Sequence, residues 1–245
     1  MHRVSYIVNC REEDQTWFTR AIESIINQEG VQKHIILSTV PNDRCLVWIE
    51  EIKGDYDLDI AILYTDLPKS PPASFAQIDN AVQFIKGDYV TFCSANDPLV
   101  LNKSINEINR LKETGAKVCY SAFHLAVANG YEYRVLDCKG FPAEYTLERH
   151  LQSNFIYDGS MVESELFKKY MPFTDKWYNC GYWDLWLRIY KEEGNVFCYN
   201  SSPTKFYIQH EDSMHIKRQF NEELKALRDK HSAELVAHHR KELGL

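Results

Sequence analysis

The sequence predicts an α/β fold: a mostly parallel sheet with helices on both faces, a smaller antiparallel part, and a long C-terminal helix. Three observations lead there. Strand-like and helix-like patterns alternate through residues 3–114, the region after 115 breaks into shorter strands around a turn dipeptide, and the last thirty or so residues are densely charged with a narrow apolar stripe.

The elements follow in order. "RVSYIVN" (3–9) is a short β-rich run, and 14–29 carries apolar residues at 17, 18, 21, 22, 25 and 26, a helical stripe opened by Asp14 as N-cap. Strands at 34–39, 58–65 and 88–93 alternate with helices at 43–53, 71–87 and 98–114. The 71–87 helix has proline near its start and glycine at its end. Residues 116–127 read as one further strand, and 128–137 as a hairpin through Asn129-Gly130. Then come a short strand and helix within 154–170, a helix at 182–194, strands "NVFCYN" and "TKFYIQH", and a helix from about 214 to 243. In the tail, Phe220, Leu224, Leu227 and Leu235 form the stripe; packing on its own domain is the expectation and a homodimer through this helix its rival. The division expected is 1–213 as one domain, with halves 1–115 and 116–213, and 214–245 as a helical tail.

Composition narrows the class. Of 245 residues, 44% are hydrophobic and 26% charged, the balance of an ordinary globular protein. No apolar run approaches the roughly 20 residues that span a bilayer. The N-terminus enters a strand pattern directly, without the apolar stretch of a signal peptide. Seven scattered cysteines with no CxxC pair form neither a disulfide framework nor a zinc signature, so the expected location is the cytoplasm, of the host cell if the source is viral. A net charge of −7 offers no overall attraction to nucleic acid or anionic membrane. In a sheet of this kind ligands collect at the strands' C-terminal ends, here near 9–12, 38–43, 65–68 and 93–97.

Five blocks in order resemble the GT-A glycosyltransferases of family 2. "RAIESIINQ" (20–28) is similar to part of that family's first helix, and "NAVQFIKGDYVTFCSANDPL" (80–99) resembles the stretch ending in its DxD-type motif. "YDGSMVESELFKKYMPF" (157–173) resembles the acceptor-side segment, "WDLWLR" (183–188) the later part of the catalytic helix motif, and "FYIQHEDSMH" (206–215) the closing segment with a metal-ligating histidine. The resemblance implies a GT-A, Rossmann-like fold and transfer of a sugar from a nucleotide-sugar, usually with inversion. The donor would lie over the first half and the acceptor against the second. Such chemistry needs the departing diphosphate neutralised, commonly by Mn²⁺ or Mg²⁺ on carboxylates. It also needs a base for the acceptor hydroxyl and an in-line arrangement of the two substrates.

Carried over residue by residue, the resemblance assigns Asp97 the metal contact, Asn96 the ribose, and Ser94 the place of an earlier acid. The alternative for Asp97-Pro98 is that it merely opens the next helix. His210 takes the place of the metal-ligating histidine, with His215 in reserve. Where the family carries Glu-Asp before the aromatic of "WDLWLR", this chain has Gly181-Tyr182. Asp184 is therefore the nearest base, with helix capping as its other reading, and Asp158 and Asp175 are further candidates. Tyr182, Trp183 and Arg188 fall on the acceptor side, Arg188 one turn beyond Asp184. "STVPND" places Ser38 and Thr39 where paired acids would meet the nucleoside, leaving Asp43 as the nearby carboxylate. Asn9, Arg11 and Glu12 close the first strand beside the same pocket, and Asn80 matches a donor-side position.

The acceptor expected is a sugar of a polysaccharide or glycolipid; a hydroxymethylated DNA base is the alternative, on the strength of "HIKRQF" and "HHRK" in the tail. The competing class is a non-catalytic nucleotide-sugar or glycan-binding module, since acids are missing at the DxD, donor and base positions together.

Overall fold

The computed structural model describes residues 1–11, 13–65, 71–173, 180–209 and 221–242. Along the chain run β1 (His2–Asn9), α1 (Gln15–Ile26), β2 (Val31–Thr39), α2 (Cys45–Asp55), β3 (Asp59–Tyr64) and α3 (Pro71–Ala81). There follow β4 (Tyr89–Ser94), α4 (Lys103–Thr114), β5 (Val118–Ser121), β6 (Phe123–Asn129), β7 (Glu132–Lys139) and α5 (Leu147–Gln152). The rest comprises β8 (Met161–Glu163), α6 (Ser164–Tyr170), α7 (Gly181–Glu193), β9 (Phe197–Asn200), β10 (Phe206–Gln209) and α8 (Asn221–Glu242).

Among the described residues these strands form a seven-stranded sheet, ordered β3-β2-β1-β4-β8-β5-β9, and a three-stranded sheet, β10-β6-β7. In the large sheet only β8 runs against its neighbours; the other pairings are parallel. The expected single strand at 116–127 is two strands in different sheets, with Ala122 between them.

The alternation of side chains along β1 explains why the sheet needs cover on both faces. Val4, Tyr6 and Val8 pack with Phe18, Ile22 and Ile25 of α1, Ile49 of α2 and Ile108 of α4. Ile7 packs on the other face with Ile78 of α3, Phe167 of α6 and Trp186 of α7. Asp14 accepts from the Thr16 backbone N–H at 2.8 Å, the N-cap its position predicts. Gly115 and Gly130 adopt positive φ, 70° and 62°, at the end of α4 and in the β6–β7 turn. Deep in the first layer Lys103 and Glu107 form a wholly buried ion pair at 2.5 Å, with Thr91 Oγ1 accepting from the lysine and Ser121 Oγ donating to the carboxylate.

The C-terminal helix folds back on its own chain. Leu227, fully buried, joins Trp183, Leu187 and Cys180 of the α7 region, with Leu147 and Leu151 of α5 against them. Arg228 donates to the Gln152 carbonyl at 3.1 Å. Leu227, one residue of the stripe read from the sequence, is thus buried within its own chain, as packing on its own domain requires. No helix among the described residues is long and apolar enough to cross a membrane.

Candidate active site

The strand order reverses at β1. The chain steps outward from β1 to β2 and β3, then returns to lay β4 on the other side, so a crevice opens between the C-terminal ends of β1 and β4. Three polar residues line up there. Asn9 is the register partner of Ser38 on β2 and of Ser94 on β4. Ser38 is fully buried, and its hydroxyl has no hydrogen-bond partner among the described residues. Beyond β1, Arg11 donates to Thr65 Oγ1 at 3.2 Å, an oxygen that also receives Gln77 Nε2 at 3.1 Å. Glu12 lies outside the described residues.

The loop after β4 is folded on itself and strapped to the second sheet. Ser94 Oγ donates to Asn96 Oδ1, and the Asp97 amide reaches the Ser94 carbonyl at 3.4 Å. Asp97 is buried, and its Oδ1 accepts from the Ile208 amide of β10 at 3.0 Å. The next helix starts only at Lys103, flanked by Asn102, so Asp97 is not its cap. Burial pushes the Asp97 carboxyl above its usual range, against the pull of Lys205 and the Ile208 amide.

Lys205 is the residue that sequence reasoning missed. Its Nζ stands 3.6 Å from Asp97 Oδ2 and 3.5 Å from Asp158 Oδ1, and it lies over the rings of Tyr157 at 4.9 Å and Tyr207 at 5.6 Å. Burial alone would favour the neutral amine; the carboxylates of Asp158 and Asp97 outweigh it and keep the ammonium charged. The one available signal was a lysine set among aromatics in "TKFYIQ", where a strand-like run would bury it. Asp158 has a half-exposed side chain, and its Oδ1 accepts from the Gly159 amide at 2.9 Å. It reaches the crevice because β8 is reversed: Gly159 sits beside Thr91 of β4, whose hydroxyl donates to its carbonyl at 2.9 Å.

Asp184 is elsewhere. It is wholly buried in the first turn of α7, where Arg188 Nε reaches Oδ2 at 2.7 Å, and His231 Nε2 and Lys230 Nζ reach Oδ1 at 2.9 and 3.1 Å. Burial alone would raise its pKa, but the bonds from His231 and Arg188 reverse that and hold the carboxyl well below the usual range. A carboxylate so enclosed can neither meet an acceptor hydroxyl nor accept its proton, which corrects the expectation of Asp184 as base. Helix capping fails too, since Cys180 is the flanking residue. Trp183 is also buried, donating Nε1 to the His150 carbonyl at 2.8 Å, and Arg188 donates Nη1 to the Tyr170 carbonyl at 2.6 Å. Both side chains are thus engaged within the chain. Tyr182, partly buried, packs on Phe75, Phe92 and Phe173.

Of the two remaining donor-side candidates, Asn80 lies apart from the crevice, whereas Asp43 stays beside the end of β1, its carboxylate within 4.8 Å of the sulfur of Cys10, the residue after Asn9. Asn80 is exposed in the last turn of α3, six residues before Lys86, whose amide bonds Ser5 Oγ at 3.2 Å near the start of β1; it sits at the opposite edge of the sheet from the crevice. Asp43 is buried and accepts from the Cys45 amide at 3.0 Å. Asp175, His210 and His215 lie outside the described residues.

A divalent cation of the Mn²⁺ or Mg²⁺ kind fits these residues poorly. It prefers several oxygen ligands, whereas Asp97 already holds the Ile208 amide and has an ammonium beside its other oxygen, and Ser94 and Asn96 engage each other. Among the described residues, the one group of three possible ligands within 4.8 Å of one another is Cys10, Asp43 and Cys45, all buried. Two sulfurs are soft ligands that do not suit Mg²⁺, and hydrogen bonding to Cys45 together with burial holds the Cys10 thiol protonated.

No protein-family model and no curated protein matches the sequence. Solved structures do match in fold. S. aureus TarS aligns with a TM-score of 0.67 and 15% identity over 97% of this chain and 43% of that one. TarS 1–349 in complex with UDP gives 0.66 and 16% over 98% of this chain and 72% of that one, and its complex with UDP-GlcNAc gives 0.65 and 14% over 98% and 73%. The chain thus spans less than half the length of the longer TarS chain. The likeness shows the architecture: a Rossmann-like GT-A fold, built on a mostly parallel seven-stranded sheet with helices on both faces.

Proposed function

We propose that the chain is a glycosyltransferase that moves a sugar from a nucleotide-sugar donor to an acceptor hydroxyl. The observation that carries this reading is the row Ser38–Asn9–Ser94 at the reversal of strand order, where open α/β sheets take ligands. That TarS shares the fold and was crystallised with UDP and UDP-GlcNAc supports a donor of the same class. In this reading the nucleoside lies over β1 and β2, near Asn9, Arg11 and Ser38, and the diphosphate over the loop of Ser94, Asn96 and Asp97.

Asp158 is the base in this proposal, because it is the carboxylate that is both exposed and beside that loop. It takes the proton of the acceptor hydroxyl as the oxygen attacks the anomeric carbon. The bond to the diphosphate breaks on the opposite side, its electron pair leaves with the nucleotide, and the configuration inverts. The acceptor proposed is a sugar of a polysaccharide or glycolipid.

Calorimetry with UDP-, GDP-, dTDP- and CMP-sugars, followed by mass spectrometry of reactions with glycan and hydroxymethylated DNA, tests the reading. One donor is expected to bind and its sugar to appear on glycan. Absence of binding by every donor overturns the proposal. Binding without transfer or hydrolysis assigns the chain to non-catalytic donor recognition, and labelling of the DNA replaces the acceptor.

A further inference from the structure

We infer that Lys205 supplies, from the protein itself, the positive charge that meets the donor's diphosphate, so that donor binding and nucleotide departure proceed without a divalent cation. The inference rests on the donor reading above and goes beyond it by naming what neutralises the leaving group.

Position is the first argument. The Lys205 ammonium lies between the carboxylate of the loop after β4 and that of the loop before β8, 3.6 Å and 3.5 Å away. A metal bound to Asp97 Oδ2 would sit within a few ångströms of this fixed ammonium, and like charges so close in a poorly solvated pocket repel strongly. The protein has therefore put a cation where a second one cannot comfortably stand.

Availability is the second. A well-made ammonium–carboxylate bond spans roughly 2.7–2.9 Å, and both contacts of Lys205 are longer. An ammonium has three N–H donors, and the aromatic faces of Tyr157 and Tyr207 hold its position without using them up. A phosphate oxygen can thus complete its coordination at normal distance. The side chain keeps 10% of its surface exposed, beside the half-exposed Asp158, so the cluster is open from that side. The third argument is rigidity: Lys205 bridges to Leu99, its carbonyl receives the His124 amide at 2.9 Å, and the flanking Phe206 amide bonds the Pro98 carbonyl at 2.9 Å. The charge is held at a fixed place before the donor arrives, the arrangement that lowers a barrier without reorganisation.

Calorimetry of the full chain with UDP, GDP and dTDP, after EDTA treatment and again with added Mn²⁺, is the test. The expected result is an affinity within about twofold in the two conditions, and no heat from Mn²⁺ alone. Lys205→Gln is expected to weaken the diphosphate by about 10- to 100-fold, the worth of a charge-assisted bond. Its affinity for the bare nucleoside should be unchanged, and Lys205→Arg should recover part of the loss. A merely structural lysine would weaken nucleoside and diphosphate alike, which overturns the inference. So does nucleotide binding that requires Mn²⁺ and vanishes with EDTA, although that outcome leaves the glycosyltransferase reading standing. Failure of all three nucleotides and their sugars in both conditions removes the donor reading itself, and the inference with it.

Discussion

Asp184→Asn separates a structural carboxylate from a catalytic one. The substitution keeps the shape and removes the charge that Arg188, Lys230 and His231 approach at 2.7, 3.1 and 2.9 Å. Two of these partners lie on α8 and one on α7, so the loss falls on the seam between the helices. Removing one partner of a buried charge cluster costs about 3–5 kcal/mol, because the remaining charges stay buried without compensation. For a chain of this size each kcal/mol moves the thermal midpoint by roughly 2–4 °C, so a fall of about 6–20 °C is expected by calorimetry. The pH dependence has a definite sign. A carboxyl held below its ordinary value contributes stability above the unfolded pKa of about 3.9, and that contribution disappears as pH falls through the lower folded value. The part of the gap that comes from the Asp184 charge should therefore be lost only below about pH 4. Donor affinity of the folded variant, measured well below its midpoint, should stay within about threefold. A variant with an unchanged midpoint but no sugar transfer would refute this reasoning and return Asp184 to the catalytic centre.

Asp158→Asn should lower turnover by about 10²–10⁴-fold, the usual contribution of a positioned base, beyond any stability lost by weakening the Lys205 contact, so turnover is compared well below the variant's own midpoint; unchanged turnover removes it as base. Gly87→Ala places a Cβ 2.6 Å from the Ser5 nitrogen and 2.8 Å from the Arg3 carbonyl oxygen, both main-chain atoms of β1 that cannot step aside. Urea denaturation should show a loss of about 1–3 kcal/mol, at the upper end of overpacking. Leu227→Ala should cost about 2–5 kcal/mol, the range for a buried leucine. Light scattering should report the same oligomeric state before and after; a dimer that dissociates on this change would restore the tail helix as an interface.

The alternation that predicts the large sheet is legible because each of its strands and covering helices carries its own periodicity. Asp14 opening α1 and the glycine ending α4 can be read from single residues. What periodicity cannot register is the partner. Residues 118–121 and 123–129 read as one run, yet the chain leaves one sheet for another at Ala122. The six-residue α5, capped by Thr146, is too short to show a stripe. The site follows the same division. The strand ends that bear Asn9, Ser38 and Ser94 follow from the fold class, since their place is a property of topology. Asp184 reads as available because nothing local reveals that Lys230 and His231, more than forty residues later, come to rest on it. Lys205 escapes notice for the converse reason: its carboxylates lie 108 and 47 positions away, and only the folded chain assembles the three.

The reversed strand β8 decides which parts of the chain can remodel the pocket. In the parallel strands, only the segments that leave a strand reach the crevice; in β8 it is the segment that arrives. Lengthening the connection ahead of Met161 would therefore reshape the side of the crevice that bears Asp158, while the turn from Glu163 into α6 belongs to the opposite end of the strands and could vary without touching it. An insertion at one short stretch, 153–160, can thus remodel the surroundings of Asp158 with the ends of β1, β2 and β4 left as they are.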